Sequence, residues 1–548
     1  MGKRLNRREF LLASSMFVVG AAGAACASPA APAAPTKAPE APKPAATAAP
    51  AAAGTTAPAA VGTSAPAAAA TQAPAAVKKG GKLRYAVDAD VLHLAPWVAI
   101  PQSHIFYTIY EALVKRDLKG NFTPGLAKSW QFSDGGKVIT FALQEGVKFH
   151  SGKEFTAETI EPAFKYLEKE GSSYHQWMKD IVKYEVLGKL QVRLTLKQPM
   201  SPLLTFLDMA HIPDPSLDVK SLQSKGIGTG PFKVAEWRQG DTLRLVRNEN
   251  YWRKDVPILA EIEAKVWPDR SAMLAALESG NCEVAFNPPF QDMPRLSKNA
   301  NLVVATVPAM CLDVKMNVTN KPYDSKKVRQ GIAWAIDRQR FVDTYLFGFG
   351  DVWTTPLPKG TIGYAPDLEG RIGFDLNKAK QLIAAGGFPN GFDSTVMIGP
   401  DSRAPGMPTM AEILQADLKK IGVNLKIEAV EATVCSNRWN EGKYEMSIHS
   451  YGRLKEPGEV VQAMVWRKEN PEQFRSAEYD KLIDDGMAAA DEKTKQDTYH
   501  RLFEVMLDES FCIPVAAVPR TIAYSKSLKN FDWSADGYIR ADGMWLDK

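Results

Sequence analysis

From Lys79 onward the sequence predicts an α/β fold, and three observations carry that prediction. Met410, Ile413, Leu414, Leu418 and Ile421 form a helical stripe that ends at Gly422 and runs straight into an alternating strand at Val423, Leu425 and Ile427. Val192, Leu194 and Leu196 alternate with Arg193, Thr195 and Lys197, the period-two pattern of a half-buried strand. Strand and helix patterns interleave along the chain, the order that α/β architectures require.

The remaining elements follow the same logic. Val138-Ile139-Thr140-Phe141 is a second strand, preceded by the turn Asp134-Gly135-Gly136. Thr156 can cap a helix whose first turn carries Glu158, a charge the helix dipole favours. Ser271 opens a helix from Ala272 to Glu278, and Gly280 closes it. Val328, Ile332, Ala335 and Ile336 form another stripe after Ser325. Most of these stripes are core.

Bulk properties exclude several classes. The 548 residues are 45% hydrophobic and 24% charged, with a formal net charge of +5. That length can bury a large core and more than one domain. No lysine- or arginine-rich block suggests a nucleic-acid partner. The five cysteines include no C-x-x-C, and the seven histidines include no i, i+4 pair, so no metal site is expected. There is no H-E-x-x-H and no G-x-S-x-G, so no enzyme and no cofactor are expected either. Gly226-Ile227-Gly228-Thr229-Gly230 is one residue short of a dinucleotide loop and leads into an apparent strand, Phe232 to Trp237. Gly146 to Lys153 misses the P-loop spacing by one, and Glu154 stands where Ser or Thr belongs.

The first 78 residues are of another kind. Lys3, Arg4, Arg7 and Arg8 precede an apolar run from Phe10 to Ala25, too short to span a bilayer, which takes roughly 20 residues. This is the layout of an export signal over residues 1–25, and Asn6-Arg7-Arg8-Glu9-Phe10-Leu11 resembles a twin-arginine motif. Gly23-Ala24-Ala25-Cys26 resembles a lipobox, which makes Cys26 the expected lipidated residue. Residues 26–78 are nearly all Ala, Pro, Thr and Ser after that cysteine, a composition that cannot offset its ordering entropy. As an extended spacer the segment could reach at most ~160 Å. A lipid-anchored, extracytoplasmic domain on a tether is the expectation.

A family resemblance then emerges at Ile227-Gly228-Thr229-Gly230-Pro231-Phe232, Glu236-Trp237 and Arg247-Asn248-Glu249-Asn250-Tyr251-Trp252. These blocks resemble the peptide/nickel-type (family 5, dipeptide- and oligopeptide-binding-like) extracytoplasmic solute-binding proteins of ABC importers. Further blocks appear in the same order. They are Gly80 to Arg84, Ile109-Tyr110-Glu111-Ala112-Leu113-Val114, Pro124 to Trp130, Phe141 to Gly152, Asn317, Val328 to Arg338 and Ala411 to Val423.

The resemblance implies a two-lobed periplasmic-binding-protein-like fold of the large type II, cluster C form. It expects lobe one at 79–305 with an inserted subdomain at about 125–225, lobe two at 306–512, and a return to lobe one at 513–548. It further implies a small-molecule solute in the cleft, permease subunits of an ABC importer as partners, and a monomer. Relatives that bind dipeptides hold the peptide amine with an Asp where this chain has Arg453, in the stretch His449 to Pro457. A guanidinium there repels an ammonium and can fork onto a carboxylate or phosphate. Arg403 lies near their carboxylate-binding arginine, and Glu431 replaces a Trp. By resemblance the ligand-binding candidates are Asp88, Asp90, Trp267, Asn317, Arg403, Glu431, Trp439, Tyr451 and Arg453. Oligopeptides, oligosaccharides and anionic small molecules stay open as solutes. A tethered hydrolase, or a sensor or chaperone on the same fold, are the alternative functions. A disulfide between Cys282 and Cys311 is implied by resemblance, with Cys435 and Cys512 a weaker second pair.

Overall fold

The computed structural model describes residues 77–97, 105–118, 120–169, 172, 174–357, 361, 363–401, 404–452, 456–462, 474–489, 491–534 and 537–548. The export signal, Cys26, the spacer up to residue 76, Arg403 and Arg453 lie outside them. Among the described residues no helix is long and apolar enough to cross a membrane.

One mixed sheet runs through the molecule. Its strand order is Val423–Ala429, Phe392–Ile398, Met446–Gly452, Leu302–Met316, Cys512–Ser525, Val284–Phe286, Lys82–Val87, Glu261–Val266, Thr242–Arg247 and Phe232–Arg238. The two long antiparallel strands in its middle, Leu302–Met316 and Cys512–Ser525, belong to two different hydrophobic cores. Cys311 to Met316 and Cys512 to Val518 pack into one core, together with the helices Lys326–Trp334 and Met407–Lys419. Val307 and Ile522 pack into a second core around Leu83, Tyr85 and Phe286, and Leu302 and Ala523 into a small neighbouring cluster. The chain therefore crosses from one lobe to the other within each strand. At the crossing Pro308 pairs with Pro519, and the register shifts between Pro308 and Met310. Proline donates no ladder hydrogen bond and a bulge bends the strand, so the sheet is weakest in hydrogen bonding where the cores change over. Ile513, where the return to the first lobe is expected, still packs with Cys311 to Met316 in the core of the second lobe.

Attached to the first lobe is a separate antiparallel sheet in the order Ala127–Ser133, Val138–Leu143, Gln191–Leu196 and Ile181–Gly188, packed on the helix Ile160–Glu168. The expected alternation holds here: Val192, Leu194 and Leu196 are buried. Asp134–Gly136 forms the hairpin turn, with Gly135 and Gly136 at φ 59° and 90°. Thr156 makes a capping box with Thr159 ahead of the helix.

Local differences from the sequence reading have simple causes. The helix expected to open at Ser271 spans Arg270–Glu278, because Asp269 accepts the amides of Ser271 and Ala272. Ala335 and Ile336 are buried beyond the end of the helix Lys326–Trp334 instead of on its stripe. The Cys282–Cys311 disulfide is not formed, and all four described cysteines are buried thiols. Cys282 sits in the cluster of the first lobe and Cys311 in the core of the second. Val284 pairs with Tyr524 and Cys311 with Ala517, which puts roughly seven strand residues, ~23 Å, between the two levels. A disulfide needs Cα atoms within about 7 Å. Cys435 and Cys512 are likewise unpaired with each other.

Candidate functional site

The glycine-rich block and the aromatic block that follows it converge on one buried acid. Glu111 is 3% exposed. Its carboxylate accepts Tyr251 Oη–H at 2.8 Å, Trp252 Nε1–H at 2.9 Å and Thr229 Oγ1–H at 3.2 Å, with the Lys115 ammonium 3.7 Å away. Gly230 donates its amide to the carbonyl of Ile109 at 2.9 Å. A Cβ on Gly230 would lie 2.5–2.6 Å from backbone atoms of Thr108 and Ile109. The carbonyl of Gly230 accepts from Asn248 Nδ2 at 3.1 Å and meets His150 Nε2 at 2.9 Å. Burial pulls His150 down to about 4, so it is neutral at physiological pH. The glycines thus allow two backbone segments to touch, and this explains why a near-miss to a dinucleotide loop leads into a strand. Its role is to brace the first lobe.

Beside the braced segment lies an aromatic and cationic ladder. Arg520 follows Pro519 on the first lobe's side of the crossing, and its guanidinium carbon is 4.5 Å from the Tyr538 ring centre. Tyr538 stacks on Tyr107 at 5.4 Å, Tyr107 meets His211 edge-on at 4.4 Å, and Arg540 lies 5.7 Å from the Tyr107 ring. Arg540 also pairs with Asp208 at 3.5 Å. Burial and the nearby Arg540 push His211 down to about 3, keeping it neutral. A small cavity of about 20 Å³ adjoins the ladder, lined by Tyr107, Glu111, Lys115, His211, Arg540 and Asp542 among others.

In the second lobe, strand pairing sets Cys311 opposite Tyr451, Asp313 opposite His449 and Lys315 opposite Ser447, all on one face. Asp313 is fully buried; it meets His449 Nδ1 at 3.0 Å and accepts Cys512 Sγ–H at 3.1 Å. Trp439 packs edge-on against His449 at 4.5 Å and donates Nε1–H to Ser447 Oγ at 2.6 Å. Tyr451 donates its hydroxyl to the carbonyl of Pro356 at 2.9 Å. Burial, with Asp313 beside it, pushes the Cys512 thiol well up, so it is no nucleophile at neutral pH. Among the described residues no group of three His, Cys, Asp or Glu side chains is arranged to hold a metal ion.

The lobes also touch away from the crossing. A groove of about 750 Å³ is lined by Phe122, Phe132, Met200 and Leu204 from one lobe and by Glu492 and Lys495 from the other. Residues 121–470 match the family described as bacterial extracellular solute-binding proteins, family 5, middle. The chain belongs to that family.

Similar proteins agree with this assignment. Heme-binding protein A of Haemophilus influenzae is 27% identical over 477 residues, 80% of this chain and 87% of that one. Glutathione-binding protein GsiB of Salmonella typhimurium is 29% identical over 446 residues, 77% of this chain and 86% of that one. The solved structure of HbpA2 from Haemophilus parasuis superposes with a TM-score of 0.75 at 26% identity, covering 85% of this chain and 100% of that one. The chain is accordingly an extracytoplasmic, two-lobed substrate-binding protein that serves an ABC transporter.

In this solute-binding protein the residues singled out from sequence fall into distinct groups. Asp88 and Trp267 follow the paired ends of the parallel strands Lys82–Val87 and Glu261–Val266, and Trp267 donates its amide to the carbonyl of Val87 at 2.7 Å. Carboxyl ends of parallel strands are where α/β folds present ligand contacts. Asp88 pairs with Arg270 at 2.8 Å, and Lys265 lies 5.2 Å from the Trp267 ring. Asp90 instead anchors a turn, accepting the Gly240 amide at 2.7 Å and Trp237 Nε1–H at 3.3 Å. Asn317 staples its own loop to Gly442 at 2.9 Å. Glu431 caps the helix Ala432–Asn440, accepting the Thr433 amide at 2.8 Å. Trp439 packs on His449, and Tyr451 lies on the same strand face, beside the Asp313–His449 pair. The ladder of Tyr107, Tyr538, Arg520 and Arg540 was not anticipated, because its members are up to several hundred positions apart and share no spacing signal.

Proposed function

We propose that this protein captures a carboxylate-bearing organic solute between its lobes and is held at the outer membrane surface by lipid on Cys26. The observation that carries the solute class is the pair of guanidinium groups, Arg520 and Arg540, stacked on tyrosine rings beside the lobe crossing. Planar guanidinium donors match a carboxylate in geometry and charge, and the rings offer flat apolar area for the solute's body. Arg453, which stands by resemblance where dipeptide binders hold an amine with an acid, supports the same sign of charge. Arg403 adds a second such cation.

Binding works as a shift between open and shut lobes. A solute that touches both lobes only when they are shut favours the shut form by its differential affinity. The two prolines and the bulge at the crossing supply strands that bend without tearing either core.

Two experiments test the reading. A thermal-shift screen of the purified chain against peptides, sugars and organic carboxylates is expected to single out carboxylates, since a ligand at a hundred times its Kd stabilises by about 2.7 kcal/mol. Arg453→Ala is expected to weaken such a hit about tenfold or more; unchanged affinity defeats the carboxylate reading. For the anchor, the wild-type chain is expected to sediment with membranes and Cys26→Ser to stay in the soluble extracytoplasmic fraction. Equal membrane recovery of the two removes the lipid from the account.

A further inference from the structure

One short loop, Pro199 to Leu203, carries several contacts between the lobes. Ser201 donates its amide to the carbonyl of Met487 at 2.9 Å and its hydroxyl to Glu456 Oε1 at 2.9 Å, and its own carbonyl accepts the Lys495 ammonium at 3.4 Å. Pro202 lies against Gly458, where an added Cβ would sit 3.0 Å from the proline ring. Every partner of the loop here belongs to the second lobe. Glu456 is only 4% exposed, and among the described residues its second carboxyl oxygen, Oε2, has no hydrogen-bond partner of good geometry, although the Gly458 amide faces the carboxyl. A buried acid with one oxygen satisfied across an interface and the other without a well-placed donor is costly as a carboxylate and cheaper as an acid.

We infer that Ser201 and Glu456 form a latch between the lobes, engaged when the cleft is shut, and that the latch tightens when the Glu456 carboxyl takes up a proton. The inference rests on the proposed opening and shutting of the cleft. A proton on Oε2 removes the buried charge and leaves the Ser201 hydrogen bond to Oε1 intact. Among the described residues the groups that face this carboxyl are Lys495 and Tyr499 on the helix Glu492–Glu509, Arg116 on the strand Val114–Arg116, and the Gly458 amide. Lys495 and Arg116 favour the charged form, yet burial outweighs them and holds the carboxyl above its ordinary range. With the lobes apart the same group is hydrated and titrates in the ordinary carboxylate range. The shut form therefore binds the proton more tightly. Its extra stability is fully present below the open-form value and is lost as pH rises through the shut-form value. Capture is favoured on the acid side and release on the neutral side.

The test measures the lobe–lobe distance in the ligand-free chain by pulsed dipolar spectroscopy. Spin labels are placed at Val186→Cys, exposed on the first lobe's small sheet, and Lys493→Cys, exposed on the second lobe, in a Cys26→Ser background. Between pH 8 and pH 4.5 the short-distance population is expected to grow, by about tenfold in ratio for each unit of difference in proton affinity between the forms. Glu456→Gln keeps the acceptor for Ser201 but carries no charge. It is expected to hold the short distance at every pH. Ser201→Ala is expected to lower the short-distance population while keeping the pH slope. A Glu456→Gln variant that follows the wild-type pH curve overturns the latch, and so does a wild-type ratio that does not change with pH while two distances are present. A single unchanging distance in all three proteins defeats both the latch and the lobe movement beneath it.

Discussion

Glu111→Ala is expected to destabilise the first lobe by about 3–5 kcal/mol, the cost of removing one partner from a buried charged network. Loss of Glu111 leaves the hydroxyls of Thr229 and Tyr251 and the Trp252 indole N–H without this acceptor, around a position that is itself buried. Each abandoned donor costs about 1–3 kcal/mol when buried, and the Lys115 ammonium loses its counter-charge. Urea denaturation of the purified chain, followed by tryptophan fluorescence, reads the effect directly, since Trp252 is part of the network. Tyr251→Phe removes one donor and leaves the acceptor, so its cost is expected near ~1 kcal/mol. A loss below ~1 kcal/mol for Glu111→Ala means that the signature block does not brace the lobe.

Gly230→Ala is expected to cost about 3 kcal/mol, the upper end of what one added methyl group does in a packed interior. The atoms that the new Cβ would meet, at 2.5–2.6 Å, are the carbonyl oxygen of Thr108 and the carbonyl carbon and oxygen of Ile109. Backbone cannot rotate away as a flexible side chain does, so the two segments must part. Parting them also stretches the hydrogen bond from the Gly230 amide to Ile109. Gly188→Ala is the matched control: a Cβ there meets nothing within 4 Å, and the expected change is within ~0.5 kcal/mol. The double variant Glu111→Ala/Gly230→Ala is expected to lose less than the sum of its parts, because both act on one contact between the same segments.

Local pattern was legible wherever a segment's neighbours in sequence are also its neighbours in space. The strand Gln191–Leu196, the turn at Asp134–Gly136 and the helix–strand junction at Gly422 follow from side-chain period and from glycine's tolerance of positive φ. The cap at Asp269 was missed in favour of Ser271, since both residues are good caps and only the backbone path chooses between them. The cysteine pairing failed for a different reason. Cys282 and Cys311 look adjacent along the chain, but a 15-residue strand, Leu302–Met316, carries Cys311 across into the other core.

The candidate site was legible only in part. Trp439 packs on His449, and Tyr451 lies on the same strand face, beside an Asp313–His449 pair that no motif announces. Asp90, Asn317 and Glu431 turned out to hold backbone, a role that short polar side chains in loops commonly take. The sequence by itself determined the family, the interleaved strands and helices, and the expectation of an exported, tethered domain. Each of these rests on residues contiguous in the chain or on blocks read in order. Only the tertiary structure decided that the glycine-rich block braces Glu111, that the lobes share two proline-marked strands, and that Arg520, Tyr538, Tyr107 and Arg540 form one ladder. Those contacts join residues from distant parts of the chain, and sequence spacing carries no information about pairs that only sheet order and packing bring together.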